Sequence, residues 1–538
     1  MPPPTIAQAL QNAERLRAAR KLAQAEDLYR KILAASPDNI AALNGLGMCL
    51  GDAKRMSEAA GVFQSITQIE PAYHDGWANL SLATERLDQF EQAIAARRRA
   101  IALRPGVADN WHRLGVCLGK SGQFSEASEA LEKARELDPS DNSIPHDLVL
   151  ALGRGNQVDR AVTILFDHIH ATGKVDSETV RCAADCLKSS GRFQEATDLW
   201  GKVLEIDPTC SEARGQWSMC LITLGDYEKG WLNYESRWDC ETFLGNIRRD
   251  PSRQWGSEPT GRPDVAGKTI LIYAEQGIGD TIHFMRYASQ FAKMGARVIV
   301  QVAWPVKSLL QKCDGVRLAY ALNEQLPAYD WHIPMMSLPH AFGTTLETIP
   351  APIPYLRVDP SLRKSWLPRV ESAAPRGRSL RVGLAWAGNP KHKNDANRSI
   401  DSSFLAPLAQ VPNVTFFTLQ KFNENEKAVV PPPNLRLVDF IPSLHDFADT
   451  AALIEQLDLV ISVDTAVVHL AGALGKPVWT MLPFTADFRW GLSGDRSPWY
   501  PTMRLFRQPK FRSWPPVIEN VVAALREFTR GDFTPPRP

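Results

Sequence analysis

The chain has 538 residues, too many for one hydrophobic core, so two to four domains are expected. It is 44% hydrophobic and 22% charged, as soluble globular proteins are, and its 61 basic and 60 acidic residues leave a net charge of +1. That balance argues against nucleic acid as a partner, since such binders carry a basic excess. The eight cysteines form no C-x-x-C and have no zinc-spaced histidine pair, which fits buried thiols of a reduced compartment. The opening residues lack the apolar run of a signal peptide, and the most apolar late segment is broken by Asp464 and His469. No membrane span is expected, and the chain is read as cytoplasmic.

The first half repeats. Pro37, Pro71, Pro105 and Pro139 are spaced by 34 residues, as are Ala59, Ala93 and Ala127, and Leu46, Leu80 and Leu114. Each unit carries two amphipathic helical patterns. The alanine lets the two helices approach, and the proline stops the second. This period resembles the tetratricopeptide repeat, a helix–turn–helix solenoid. Cys49 and Cys117 fall at the same repeat position, which marks them as packing residues. The unit around 145–173 is degenerate, and Ala196 and Pro208 mark another. The last, 213–238, ends in Trp231, Tyr234 and Trp238 at helical spacing, as a cap against the next domain would. A solenoid makes a groove for a peptide or protein segment. One register of that groove reads Gly45, Asn79, Arg113, so an asparagine ladder is not evident. The solenoid is assigned 1–240, followed by a linker, 241–268.

The pattern then alternates strand and helix. Strand 269–274 leads through a glycine loop into a helix, 281–294, then strand 297–303, a helix near 305–313 and short apolar segments to about 340. A Pro-rich stretch follows. RVGLAWAG (381–388), a helix near 401–410, VTFFTLQ (414–420), LRLVD (435–439), helix 446–457, LVISVD (459–464), helix 465–475, PVWTML (477–482) and a final helix, 516–529, complete the chain. The fold class is α + α/β: a solenoid, then two Rossmann-like halves, 269–360 and 381–538, joined by a linker, 361–380. Two such halves across a cleft make the glycosyltransferase B architecture, which other two-Rossmann enzymes share, so the fold alone does not fix the function.

Ligands of open parallel sheets bind beyond the carboxyl ends of the strands, which selects three loops. In ISVDTAVVHLAGALGKPV (461–478), Asp464 ends a strand and Thr465 opens a helix whose free N–H groups favour an anion. His469 lies one turn deeper on the same face, and Gly472 and Gly475 permit close approach and helix termination. WAGNPKHKNDANRSI (386–400) gathers Asn389, Lys391, His392, Lys393 and Arg398 after a strand, where the cations either hold a diphosphate or phosphate or form a solvated basic loop. In AEQGIGDTIHF (274–284), Asp280 either caps the helix from Thr281 or faces the cleft as a general base. The chain has no D-x-D metal clamp.

AEQGIGDTIHFMRYA, GLAWAGNPKHKNDANRSI, DTAVVHLAGALGKPVW and SPWYPTMRLFRQ together resemble bacterial TPR-linked glycosyltransferases. Their catalytic part is related to the lipopolysaccharide heptosyltransferases, family 9. The resemblance implies Asp280 as base on an acceptor loop with Gly277, Gly279 and His283. It implies donor binding by Asp464, Thr465 and His469, phosphate contacts from Arg398, Asn389 and Lys391 or Lys393, and a nucleotide pocket lined by Gln420 and Lys421. Ala466 stands where many relatives have glycine. The activity implied is metal-independent transfer from a nucleotide sugar, with no other cofactor, to a hydroxyl of a protein held by the repeats, flagellin being the acceptor type. Envelope or lipopolysaccharide glycan transfer is the alternative, and a non-catalytic TPR adaptor a second.

Overall fold

A computed structural model describes residues 5–240, 249–257, 261–392, 394–421 and 430–530. The chain divides into two compact units, 1–187 and 188–538. Among the described residues no helix is long and apolar enough to cross a membrane.

The first unit is a run of helix pairs: Ile6–Ala18 with Leu22–Ala35, Ile40–Asp52 with Met56–Ile69, His74–Arg86 with Phe90–Leu103, Ala108–Lys120 with Phe124–Leu137, and Ser143–Arg154 with Val158–Thr172. The repeated alanines at 59, 93, 127 and 161 are fully buried between paired helices. Every pair turns on one residue in the left-handed region: Arg20, Lys54, Asp88, Gly122 and Asn156, with φ of 59°, 61°, 57°, 85° and 61°. These positions also recur every 34 residues, but only one is glycine, so composition hides the turn. Cys49 and Cys117 are buried, and every cysteine is free.

First helices of successive pairs touch. Asn79 donates to Asn44 Oδ1 at 2.9 Å, Lys120 pairs with Glu85 at 3.1 Å, and His112 Nε2 lies 2.7 Å from Asp147 Oδ2. Asn79, in the Gly45–Asn79–Arg113 register, thus meets Asn44, 35 residues earlier and one position off that register. On the same helices Met48, Leu82, Val116 and Leu150, again 34 apart, form a stripe that stays partly exposed.

The second compact unit starts at Lys188, inside the stretch assigned to the solenoid. Helices Phe193–Ile206, Ser211–Leu224 and Tyr227–Tyr234 belong to it because their aromatic end is buried on the α/β halves. Trp231 is 1% exposed and meets Phe284 and Phe488 edge-on, with centroids 6.0 Å and 5.4 Å away. Tyr227 stacks on Trp499 at 6.0 Å, and the Trp499 indole donates to its hydroxyl at 3.2 Å. Arg237 forks onto Glu275 at 3.0 Å and 2.9 Å, both side chains almost fully buried. The expected cap therefore grips the loop after the first strand.

The first α/β half holds four parallel strands, β1 (Thr269–Tyr273), β2 (Arg297–Val302), β3 (Val316–Ala321) and β4 (Trp331–Pro334), in the order β3-β2-β1-β4. The second holds β5 (Leu380–Ala385), β6 (Val414–Thr418), β7 (Leu437–Val438), β8 (Leu459–Val463), β9 (Val478–Leu482) and β10 (Met503–Arg507), in the order β10-β9-β8-β5-β6-β7. Both orders reverse beside their first strand, as in a doubly wound fold. β1, β8 and β9 are almost wholly buried, which fits their unbroken apolar runs.

Several elements differ from expectation. The helix read as 281–294 is three pieces, Ile278–Phe284, a 3₁₀ turn Met285–Tyr287 and Ala288–Lys293. The segment near 401–410 is a 3₁₀ helix, Ser402–Gln410, and the strand at 435–439 keeps only two residues. The linker stretch contains a 14-residue helix, Pro360–Ala373. The last helix, Pro515–Arg530, lies over the 516–529 expected of it.

Two changes test this packing. Replacing Lys54 by glycine removes a left-handed Cβ penalty and should raise unfolding free energy by about 0.5–1 kcal/mol, measured by urea titration. Truncating Trp231 to alanine should cost about 3–5 kcal/mol by the same measurement, since its ring fills the seam beneath Phe284 and Phe488.

Candidate functional site

The switch points place the loops. In the first half the strand order reverses at β1, so the loop after β1, residues 274–277, stands at the ligand end of the sheet. In the second half it reverses between β5 and β8, bringing the loops that begin at Trp386 and Asp464 side by side.

The loop after β1 is held from below. Glu275 accepts from Arg237 and from the Met336 amide at 2.9 Å, and Gln276 donates to the Tyr234 hydroxyl at 2.7 Å. The helix then begins at Ile278 with Gly277 as its cap. Asp280 is therefore not the cap of a helix from Thr281. It sits in the first turn and reaches back to accept from the Gly277 amide at 3.0 Å. Its other oxygen, Oδ1, accepts from Arg489 Nη2. Gly279 has a specific use. A Cβ there would lie 3.1 Å from His469 Cδ2 and 3.7 Å from Ala466 Cα, so its missing side chain lets the two halves meet.

Asp464 ends β8, 15% exposed, with Oδ1 4.0 Å from His469 Nε2. Burial, reinforced by the Asp487 carboxylate, raises its pKa to about 6. Thr465 caps helix Ala466–Ala473, accepting from the Val467 amide at 3.3 Å. Gly475, with φ +73°, follows that helix, and a Cβ on Gly472 would strike the Tyr500 ring at 2.5 Å. Arg398 donates to the Asp464 carbonyl at 3.2 Å and to Asp395 at 3.3 Å, so the basic loop is tied to the β8 loop.

Other expected residues take different places. Asn389 accepts from the Lys391 amide at 3.0 Å, shaping an exposed turn. Lys393 lies outside the described residues. Gln420 is 5% exposed, and its carbonyl accepts from the Trp386 and Ala387 amides at 3.1 Å and 2.8 Å. It braces the loop after β5 from beneath. Lys421 donates to the Leu444 carbonyl at 3.3 Å.

His283 and His469 are both buried, with rings 5.2 Å apart. One hydroxyl serves both: Tyr500 Oη lies 3.0 Å from His283 Nδ1 and 3.1 Å from His469 Nδ1. A hydroxyl has one proton and donates to at most one ring, so at least one of the two imidazoles carries its proton on Nδ1. Burial, with Arg286 and Arg489 nearby, holds both imidazoles well below their usual pKa. His469 also stacks on Trp490 at 5.4 Å. Arg286, fully buried, donates to the carbonyls of Trp499 at 2.7 Å and His283 at 2.8 Å under three aromatic rings.

Sequence reading missed Arg489, Asp487, Trp490 and Tyr500. All four follow β9, whose carboxyl end points the same way as those of β5 and β8. Counting that loop as a fourth ligand-end segment was the available signal. The structure thus gathers Asp280, His283, Asp464, Thr465, His469 and Arg398 with these four. Lys391 and Asn389 stay on the exposed turn, and Gln420 and Lys421 act on loop backbone.

The two neutral histidines set a pH dependence. The unfolded chain binds protons on them below about 6.5, and the folded chain does not, so their contribution to stability is lost as pH falls below that value. Asp464 has the opposite sign: its contribution is full below about 3.8 and is lost as pH rises through about 6. The difference between wild type and His283→Gln/His469→Gln isolates the histidines. Below about pH 6.5 the wild type should lose up to about 1.4 kcal/mol per pH unit per histidine relative to the variant, followed by denaturant titration at each pH.

Residues 408–513 match glycosyltransferase family 9 (heptosyltransferase), a span that contains Asp464, Thr465, His469, Arg489 and Tyr500. Residues 16–81 and 108–141 match tetratricopeptide repeats. Protein FlbA of Caulobacter vibrioides is 25% identical over 330 residues, covering 57% of this chain and 54% of FlbA, so the chain matches about half the length of that relative. Among solved structures, MamA shares 24% identity over 31% of this chain and 90% of its own, with a TM-score of 0.30. YrrB, a TPR protein with an unusual peptide-binding site, shares 14% over 34% of this chain and 95% of its own, also with a TM-score of 0.30. The chain joins an N-terminal tetratricopeptide-repeat solenoid to two parallel-sheet α/β halves, the second of which matches glycosyltransferase family 9 over residues 408–513.

Proposed function

We propose that the protein is a glycosyltransferase that moves a sugar from a nucleotide-sugar donor to a hydroxyl of a protein held by the repeats. The observation that carries this reading is that Asp280, from the switch point of one sheet, shares Arg489 with Asp464, while Gly279 beside it meets Ala466 and His469 in the helix after Thr465, at the switch point of the other. The helix after Thr465, with Arg398, receives the donor phosphates. Asp280 takes the proton of the acceptor hydroxyl as its oxygen attacks the anomeric carbon. The anomeric carbon–phosphate oxygen bond breaks, and the nucleotide leaves with its charge met by arginine and helix N–H groups, so no metal is assigned to the step.

The solenoid supports a protein acceptor. Met48, Leu82, Val116 and Leu150 offer an extended segment one apolar contact per repeat. Flagellin, met in the cytoplasm before export, is the acceptor proposed. The heptosyltransferase relationship favours a second reading, transfer to an envelope glycan, in which the repeats dock the enzyme on an assembly.

Asp280→Asn should lower transfer by at least about 100-fold while nucleotide binding persists, measured by radiolabelled sugar incorporation and calorimetry. Undiminished transfer removes Asp280 as base. Leu82→Glu/Val116→Glu should abolish incorporation into protein and leave nucleotide binding unchanged. In a strain lacking the gene, sugar missing from flagellin supports the first reading, and sugar missing from the lipopolysaccharide core supports the second.

A further inference from the structure

The loop after β9 carries a cation that the donor reading leaves unused. Arg489 is 7% exposed, its guanidinium seated 4.3 Å from the Phe488 ring centroid and 5.6 Å from that of Phe284. Nη2 donates to Asp280 and Nη1 donates to Asp487 at 2.7 Å, while the buried Nε has no partner. Asp487 caps the same turn through the Arg489 amide at 3.1 Å, so it anchors the arginine within its own loop. Asp280 comes from the opposite half. Three carboxylates, Asp280, Asp464 and Asp487, surround Arg489, and Arg398 is the second arginine that acts on Asp464.

This arrangement poses a problem for catalysis by Asp280. One of its oxygens accepts from the Gly277 amide and the other from Arg489. Each oxygen keeps a second lone pair, but a hydroxyl that approaches Oδ1 must compete with the guanidinium already held there. It also poses a problem for Arg489, since burying a guanidinium leaves an N–H without an acceptor. A diphosphate answers both. Its oxygens match the planar fork of arginine better than a single carboxylate oxygen does.

We propose that Arg489 is a donor-phosphate ligand held in reserve by Asp280, so that donor binding and release of the base are one event. The inference rests on the glycosyltransferase reading above. With no donor bound, Arg489 keeps the halves latched through Asp280. When a diphosphate enters beside Thr465, Arg489 keeps Asp487, transfers its Nη2 contact to a phosphate oxygen and satisfies Nε there. Asp280 keeps its Gly277 amide contact, and Oδ1 turns free toward the acceptor. No covalent bond changes in this step. Its consequence is an ordered reaction in which the acceptor is deprotonated only when a donor is in place.

The test is calorimetric binding to the full chain, with inorganic pyrophosphate and with UDP, GDP, ADP and CMP as probes. Arg489→Met should weaken the tightest probe by about 10- to 100-fold, and Arg489→Lys by less. Asp280→Asn should tighten it severalfold, because the competing carboxylate is gone. A merely structural pair predicts the reverse for Asp280→Asn, with binding weakened or unchanged, and either result overturns the proposal. Binding kept in Arg489→Met but lost in Arg398→Met retains the donor site and removes Arg489 from it. Failure of the wild type to bind any probe overturns the donor-site reading itself. Should Arg489→Met fail to fold, checked by thermal melting, the direction of change in Asp280→Asn decides alone.

Discussion

The second compact unit depends on a desolvated ion pair. Arg237, at the end of the last helical repeat, forks onto Glu275 in the first residues past β1, and each side chain is at most 2% exposed. Such a pair gains little over two apolar residues, but losing either member strands a buried charge at a cost of about 3–5 kcal/mol. The geometry is therefore self-enforcing. It fixes the loop that positions Asp280, and Ser337 and the Met336 amide complete the hydrogen bonding from the end of β4. Trp231 and Tyr227 repeat the device with rings, against Phe284, Phe488 and Trp499. The last repeats thus serve as a foundation for the α/β halves.

On that foundation the halves meet through small distances. Gly279 brings His469 against the loop after β1, and the Tyr500 hydroxyl bridges two imidazoles that burial keeps neutral. Charge lies on both sides of this seam: Asp280, Asp464 and Asp487 act on Arg489, and Arg286 is buried against His283 and Tyr500. Burial and the Asp487 carboxylate raise the pKa of Asp464 to about 6, which below that value lessens the negative charge the cluster holds. The side chains that meet here come from loops at the carboxyl ends of both sheets, where doubly wound folds place their sites.

Much of the architecture was legible because its causes are local or periodic. A 34-residue step in Pro, Ala and Leu reports helix packing directly, since each unit must bury the same face against its neighbour. The turns were not legible, because Arg20, Lys54, Asp88 and Asn156 adopt a left-handed backbone that composition assigns to glycine. The helix start was misplaced because Asp280 looks like a cap, whereas Gly277 is the cap and Asp280 reaches back to it. Gln420 was read as pocket lining. Its role in bracing Trp386 and Ala387 depends on the adjacency of β5 and β6, which no local pattern shows.

The sequence by itself determined the order of elements, the solenoid period and the strand ends at which ligand loops fall, because helix and strand periodicity and Gly/Pro punctuation act within a few residues. Only the tertiary structure decided that Asp280 is tied to Arg489, 209 residues away, and that Tyr500 links His283 to His469. Ion pairs and shared hydroxyls form wherever the packing of two sheets brings side chains within about 3 Å, and that packing is fixed by buried area and complementary shape summed over the whole unit.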